Sequence, residues 1–521
     1  MPPSREPRAA GADAAFLGVD IGTSGVKALL MRADGDVLAT STVALRMSTP
    51  RPGWAEQDPD DWWRAAGAAI QQLTAAHPGI RVAAVGLSGQ QHSSVFLDAH
   101  GEVIRPALLW CDGRTTAECR EITERAGGEE GLRELVGNAA LEGFTLPKVL
   151  WLRRHEPAAF ARLRTVLLAK DYVRYRLTGV PASEPSDASG TLLFDTARRR
   201  WSDAMFTLVD LPRSLVPDLG ESAEILGRVT GAAAAVTGLA TGTPVVGGGG
   251  DNACGAAGVG AVAAGQMVAS WGTSGTVLSP TDEPRIDPRM RAHTFCHVAP
   301  GRWYLIGVVL SAGSAFAWFR DQFARGYADT DEANRVLREE AASVGPGADG
   351  VTFLPYLQGE RTPHRDASLR GAFLGLSLAH TRAHLARAVL EGVCFALRDS
   401  LEILRKLGVT ANEMLLTGGG AKYALLRQLQ ADVFGMPVAT VNREEGSAYG
   451  AALLAAVGAG AFPDLDAAAS ATVRRSASHL PDPDARARYE PLYARFRLTY
   501  EQAGANLRSI AGGDNAGSAA R

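Results

Sequence analysis

The sequence predicts an α/β protein made of two related halves, and three observations carry that prediction. Strand-like and helix-like segments alternate along the whole chain, the pattern of sheets covered by helices. The tetrapeptide Gly-Thr-Ser-Gly occurs twice, at residues 22–25 and 272–275, each time between two apolar runs. Two copies about half a chain apart point to a duplicated architecture. Of the 521 residues, 46% are hydrophobic and 21% charged, enough apolar material for large cores.

Taken in order, residues 16–21 are apolar, 22–25 turn, and 26–31 are apolar again. That is a β-hairpin, and Asp34-Gly35 turns the chain into a third strand over residues 37–44. Residues 60–75 have helical spacing, with Trp62, Trp63, Ala66 and Ile70 on one face. Residues 82–87 read as a short buried strand opening into the polar turn Ser88-Gly89-Gln90-Gln91-His92. Residues 160–168 run towards an apolar strand, and 171–177 begin a helix. Val245-Val246 leads into four glycines, 247–250, then Asp251, Asn252 and a run of small residues that reads as a closely packed helix start. From Gln266 the opening pattern returns: apolar 267–271, turn 272–275, apolar 276–279. Residues 464–509 are Ala- and Arg-rich with helical spacing and read as one packing helix. The resulting division is a tail at 1–15, a first domain at 16–260, a second at 261–510 and a frayed end at 511–521.

Composition narrows the function. With 53 basic and 56 acidic residues the net charge is −3, which argues against a dedicated nucleic-acid binder. Five scattered cysteines without a C-x-x-C pattern fit a reduced, cytoplasmic protein. The most apolar stretches, 229–246 and 451–462, are too broken or too short to cross a bilayer, so no membrane partner is expected. The sequence leaves a homodimer open.

Chemistry concentrates at the glycine turns. Gly22, Thr23 and Ser24, and again Gly272, Thr273 and Ser274, offer backbone N–H groups and hydroxyls in tight loops that suit phosphate oxygens. One copy alone reads as an ordinary hairpin turn. Two copies, the first preceded by Asp20, favour a split phosphate clamp in which Asp20 holds a hydrated Mg²⁺. No Gly-Lys-Ser/Thr sequence occurs, which excludes a Walker-type site. Asp251 follows glycines that clear space for a hydroxyl and a phosphate, as a general base needs; the competing reading is a cap for the next helix. Gly418, Gly419 and Gly420 follow an apolar run like a strand-to-helix turn and could hold a phosphate or a flat ligand. His293, Cys296 and His297 share a strand-like segment on which the two histidines stand about 13 Å apart and Cys296 faces the other way from His293, and His380 and His384 have helical spacing without a third ligand, so neither set reads as a metal site.

In order along the chain these motifs resemble the FGGY family of carbohydrate kinases. The segment from Gly143 through Lys148 to Trp151 is similar to the family's first signature, and Gly371 to Leu376 with His384 and Glu391 to its second. Supporting segments include Gly89-Gln-Gln-His92, Trp110-Cys-Asp-Gly-Arg114, Gly249-Gly-Asp-Asn252 and the run from Pro355 to His364. The resemblance implies two actin-like, ribonuclease-H-like ATPase domains closing around a cleft, the first binding sugar and the second ATP. It implies phosphorylation of D-xylulose, with ribulose, gluconate or glycerol as the alternative acceptors and a non-catalytic regulator as the remote one. Asp251 would be the proton acceptor and a sugar contact beside Asn252. Asp20 would serve Mg–ATP, and Gln91, His92, Trp110 and Asp112 would line the sugar pocket. Gln91, Cys111 and Gln358 depart from the residues usual in the family at those positions.

Overall fold

The structure, a computed structural model, describes residues 14–327, 329–443 and 445–512. The predicted tail and frayed end lie almost wholly outside the described residues. Ala14 and Ala15, assigned to the tail, instead begin the first strand.

The first half is built on strands β1 (Ala14–Ile21), β2 (Gly25–Arg32), β3 (Val37–Ala44), β4 (Arg81–Gly89), β5 (Ile225–Arg228), β6 (Pro244–Val246) and β7 (Gly249–Gly250). The second half uses β8 (Met267–Trp271), β9 (Gly275–Thr281), β10 (His293–Cys296), β11 (Trp303–Val309), β12 (Met414–Thr417), β13 (Val438–Val441) and β14 (Arg475–His479). The first sheet runs β5-β6-β4-β1-β2-β3, with β7 also paired to β4; the second runs β10-β11-β9-β8-β12-β13-β14. From β8 outward the two follow one plan. An antiparallel hairpin (β1–β2, β8–β9) carries a third antiparallel strand (β3, β11). On its other side lie two parallel neighbours (β4 and β6, β12 and β13) and an antiparallel edge strand (β5, β14). The repeated Gly-Thr-Ser-Gly thus occupies the same hairpin of both sheets.

Four helices matter for the site. Helix α1 (Pro59–Ala76) covers the first sheet with Trp62, Ala66 and Ile70 and begins at an Asp58 cap that accepts from Asp60 N–H. Helix α2 (Asp251–Gly258) starts at the glycine run, and α3 (Arg382–Lys406) lies against the second sheet. Helix α4 (Ser447–Gly458) belongs to the second half by sequence yet packs on β1 and β4 of the first, and on α2. The approach is so close that a Cβ on Gly18 would lie 1.9 Å from the Ala448 carbonyl oxygen, and one on Gly86 2.0 Å from that of Ala451. Tyr449 on this helix donates to the Gly35 carbonyl at 3.0 Å. This bond fastens the two halves together.

The single packing helix expected over 464–509 is instead a short helix (Leu465–Thr472), edge strand β14 and a long terminal helix (Pro483–Gly512). His380 precedes α3, so its spacing to His384 is not helical; His384 Nδ1 accepts from the Thr381 amide at the helix start.

Candidate active site

The parallel strands bring two acids together. Asp20 stands beside Ser88 in the β1–β4 pairing, and Gly249 stands beside Ser88 on the other side, so Asp20 and the start of α2 meet where β1, β4 and β7 all end. Ligands bind at such carboxyl ends of parallel strands. Gly250 is the helix cap, and Asp251 sits one position further in, which disposes of the capping role. Its Oδ1 accepts from the Asn252 amide at 2.9 Å and from Asn252 Nδ2 at 3.1 Å. Burial lifts the Asp251 carboxyl to about 7, the charge of Asp20 adds to the rise, and the backbone amides of Asn252 and Gln91 oppose it. Asp20 is raised too, chiefly by burial, against the pull of Ser88 and Lys27. Its Oδ1 has no hydrogen-bond partner among the described residues.

Asp251 and Asn252 share one cavity, of about 720 Å³, with Gly272, Ser274, Gly418 and Gly419. A second cavity of similar volume continues from Gly272, Thr273, Gly419 and Gly420 to Trp318 and Tyr423. The second hairpin turns its carbonyls into the protein: Gly272 O accepts from Gly313 N at 2.8 Å, and Thr273 O from Ala312 and Ser314 N. In a trans peptide the N–H opposes the C=O, so the amides of Thr273 and Ser274 face away from those partners. Gly418, at φ 79°, passes so near that a Cβ would lie 2.6 Å from the Trp271 carbonyl oxygen; only glycine lets this turn lie against the hairpin.

The first hairpin lines neither cavity. Its carbonyls are tied down likewise, Thr23 O by Gln57 Nε2 and Ser24 O by Leu45 N. The Thr23 hydroxyl accepts from Trp110 Nε1 at 2.9 Å and donates to Gln90 at 3.2 Å. With its proton committed to Gln90, the Thr23 hydroxyl is not free to donate to a phosphate, and the backbone is what remains for that contact.

Among the sugar-side residues, His92 is held at φ 69° with Nδ1 2.6 Å from the Gly190 carbonyl. Nδ1 therefore carries the proton, and burial keeps the ring neutral, which leaves Nε2 an acceptor. Gln91 is buried; its Nε2 donates to Ser186 O, and its Oε1 accepts from Asn252 and Tyr304. It orients Asn252 from behind. Asp112 does not present a free carboxylate: Ala55 N, Arg114 N and two Arg114 guanidinium nitrogens occupy both oxygens. Four such bonds fill a carboxylate's acceptor capacity, so Asp112 braces the Trp110 loop, and it lines a third cavity together with Trp110. Lys148 was quoted only as part of a signature, yet it is fully buried and donates to His92 O at 2.9 Å and Gly143 O at 2.6 Å. A lysine inside an apolar run was the signal that it is internally bonded.

The expected separation of His293, Cys296 and His297 is seen in their surroundings: His293 lies against Phe144 and Phe295, and His297 against Tyr304.

Two sheets of one plan, each with a Gly-Thr-Ser-Gly hairpin, and a buried acid lifted to about 7 in one cavity with the second of them are the features of a two-domain phosphotransferase. Residues 15–258 match the FGGY family of carbohydrate kinases, N-terminal domain, and residues 267–459 its C-terminal domain. The chain belongs to the FGGY family of carbohydrate kinases, with the actin-like ATPase fold of that family. It is 42% identical to a xylulose kinase of Escherichia coli over 94% of this chain and 99% of the relative. A xylulose kinase structure from Rhodospirillum rubrum superposes with TM-score 0.87 at 33% identity, over 95% of this chain and 99% of that one. A gluconate kinase from Lactobacillus acidophilus reaches TM-score 0.90 at 25% identity, over the same shares.

Proposed function

We propose that this protein transfers the terminal phosphoryl group of ATP to D-xylulose, giving D-xylulose 5-phosphate. The observation that carries the reading is Asp251. A carboxyl lifted to about 7 stands on a glycine-cleared strand end and shares a cavity with the second hairpin and the Gly418–Gly419 turn. Fold alone does not separate the acceptors, since the gluconate kinase superposes as well as the xylulose kinase. Sequence supports xylulose: relatives 32% to 42% identical over most of this chain are xylulose kinases, while at 25% identity both a gluconate kinase and xylulose kinases occur.

In this reading Asp251 takes the proton of the terminal sugar hydroxyl as that oxygen bonds to the γ-phosphorus, and the bond to the bridging oxygen breaks with ADP leaving. The amides of Thr273 and Ser274 hold the phosphate tail, and Gly419 and Gly420 lie along the adenosine cavity. His92 Nε2 accepts from a sugar hydroxyl, and Asn252 keeps Asp251 in position. The unpartnered Asp20 oxygen beside a second carboxylate is an all-oxygen setting that fits magnesium. When bound, the ion would neutralise phosphate charge. Asp20 would hold it, directly or through water. A cytoplasmic setting fits five cysteines of which none is paired.

Initial rates with Mg–ATP across D-xylulose, ribulose, gluconate and glycerol test the proposal. D-Xylulose is expected to give the highest kcat/KM, and faster turnover of any other acceptor rejects it.

A further inference from the structure

Trp110, whose indole N–H bonds Thr23, also lines a separate cavity of about 610 Å³. Both halves wall it: Trp110, Cys111 and Gly143 from the first, Leu310, Glu360 and Arg361 from the second. Glu360 is 2% exposed, and its Oε1 accepts from Leu310 N at 2.8 Å and Arg361 N at 2.9 Å, while Oε2 has no partner. Beside it the Arg361 guanidinium lies 5.9 Å from the Trp110 ring centre, and among the described residues it makes no ion pair or side-chain hydrogen bond. Burial raises the Glu360 carboxyl to about 8 and lowers the Arg361 guanidinium. Buried polar groups are almost always bonded. The open Glu360 oxygen, which carries the proton while the carboxyl is neutral, and the half-buried Arg361 guanidinium face one cavity, and together they match a ligand dense in both donors and acceptors, as a polyhydroxy chain is.

The pair is also held firmly. Thr362 N donates to Val308 O and Thr362 Oγ1 accepts from Val308 N, both at 3.0 Å, and Arg365 pairs with Glu129 of the first half at 2.7 Å. The cavity is tied to the His92 loop: Gly143 on its wall shares the Lys148 ammonium with the His92 carbonyl, and Trp110 bonds the Thr23 hydroxyl. The chain beyond Leu310 is the segment that clasps the second hairpin through Ala312, Gly313 and Ser314.

We infer that Glu360 and Arg361 are the second half's contribution to the acceptor site, binding sugar oxygens remote from the hydroxyl that receives the phosphoryl group. The inference rests on the proposed sugar-kinase reading and adds to it two residues that set acceptor choice. Arg361 donates to hydroxyl or carbonyl oxygens, and Glu360 meets a hydroxyl beside them.

The test uses the full chain with Mg–ATP and D-xylulose. Arg361→Met and Glu360→Leu are each expected to raise the sugar KM about tenfold or more, the worth of a hydrogen bond to a charged or buried group. The KM for ATP should stay within about twofold. An unchanged sugar KM in both variants, or equal losses toward sugar and ATP, overturns the inference. Where turnover is too slow to fit, calorimetric titration of D-xylulose into the nucleotide-free Arg361→Lys protein reads the same contact, because lysine keeps the charge and loses the fork. A weaker Kd supports the inference and an unaltered one overturns it. Wild-type protein that phosphorylates none of the sugars fails the proposed function itself, a result seen before any variant is made.

Discussion

At Asp251 the burial that suits the carboxyl to take a proton also opposes folding. Its folded pKa is about 7 against an ordinary 3.8, so the folded chain takes up a proton that the unfolded chain does not between those values. Stability from this group is therefore lost as pH rises through 7 and is intact below 3.8. Asp251→Asn should melt higher than wild type at about pH 8, with the gap closing towards about pH 4, as thermal melts across that range would show. In the same variant kcat should fall about 10²–10⁴-fold while the calorimetric Kd for sugar changes little, because a base acts in the transition state. Wild-type kcat should decline as pH drops below about 7, where the base becomes protonated, read as an acid limb in the pH–rate profile. Asp20→Asn should weaken kcat/KM for Mg–ATP about tenfold or more and leave sugar binding intact, checked by varying Mg²⁺ at fixed ATP. The two acids were legible because glycines or a glycine turn flank each one. At Asp112 the motif shows the residue type and not that the carboxylate is already fully bonded by Ala55 and Arg114. Glu360 and Arg361 lie in the run from Pro355 to His364 that supports the resemblance, yet no role could be read from it, since what distinguishes them is an open carboxyl oxygen and an unpaired guanidinium, visible only once the fold surrounds them.

Among the elements, the hairpins and their sheets were the most readable part of the chain. Alternating apolar runs broken at Gly22–Ser24 and Gly272–Ser274 place β1, β2, β8 and β9 within a residue or two of where they lie. Strand β14 escaped notice: Arg475–His479 has no large apolar residue, and as an edge strand it needs none. The packing of α4 was also hidden, because its demand is written in glycines on distant strands. Gly18→Ala or Gly86→Ala would drive a methyl into helix backbone, which cannot swing aside as a side chain would. Each is expected to cost ~1–3 kcal/mol or more, read by urea denaturation. Tyr449→Phe, which removes the bond to Gly35 and the hydroxyl's contacts with Thr472 and Arg443, should cost about 1 kcal/mol or more.

For the whole molecule, the acceptor cavity has walls from both halves, and so has the cavity that joins Asp251 to the second hairpin. Catalysis by such an enclosure requires the halves to shut around the sugar and exclude water. Sugar and a non-hydrolysable nucleotide together should shrink the radius of gyration measured by small-angle scattering, and neither alone should match the effect. Cys111 offers a second view of closure. It is the exposed cysteine of the five and lines the acceptor cavity. Thiol labelling should modify it first, and D-xylulose should slow that reaction.

The seating of α4 on the opposite half has a practical consequence for anyone cutting this chain in two. A fragment ending near residue 262 would possess every strand of its sheet but bare the face around Gly18 and Gly86, a groove shaped for a rod that arrives nearly two hundred residues later. Such a piece would come out of the cell sticky, and a synthetic peptide spanning residues 445–460 should rescue it.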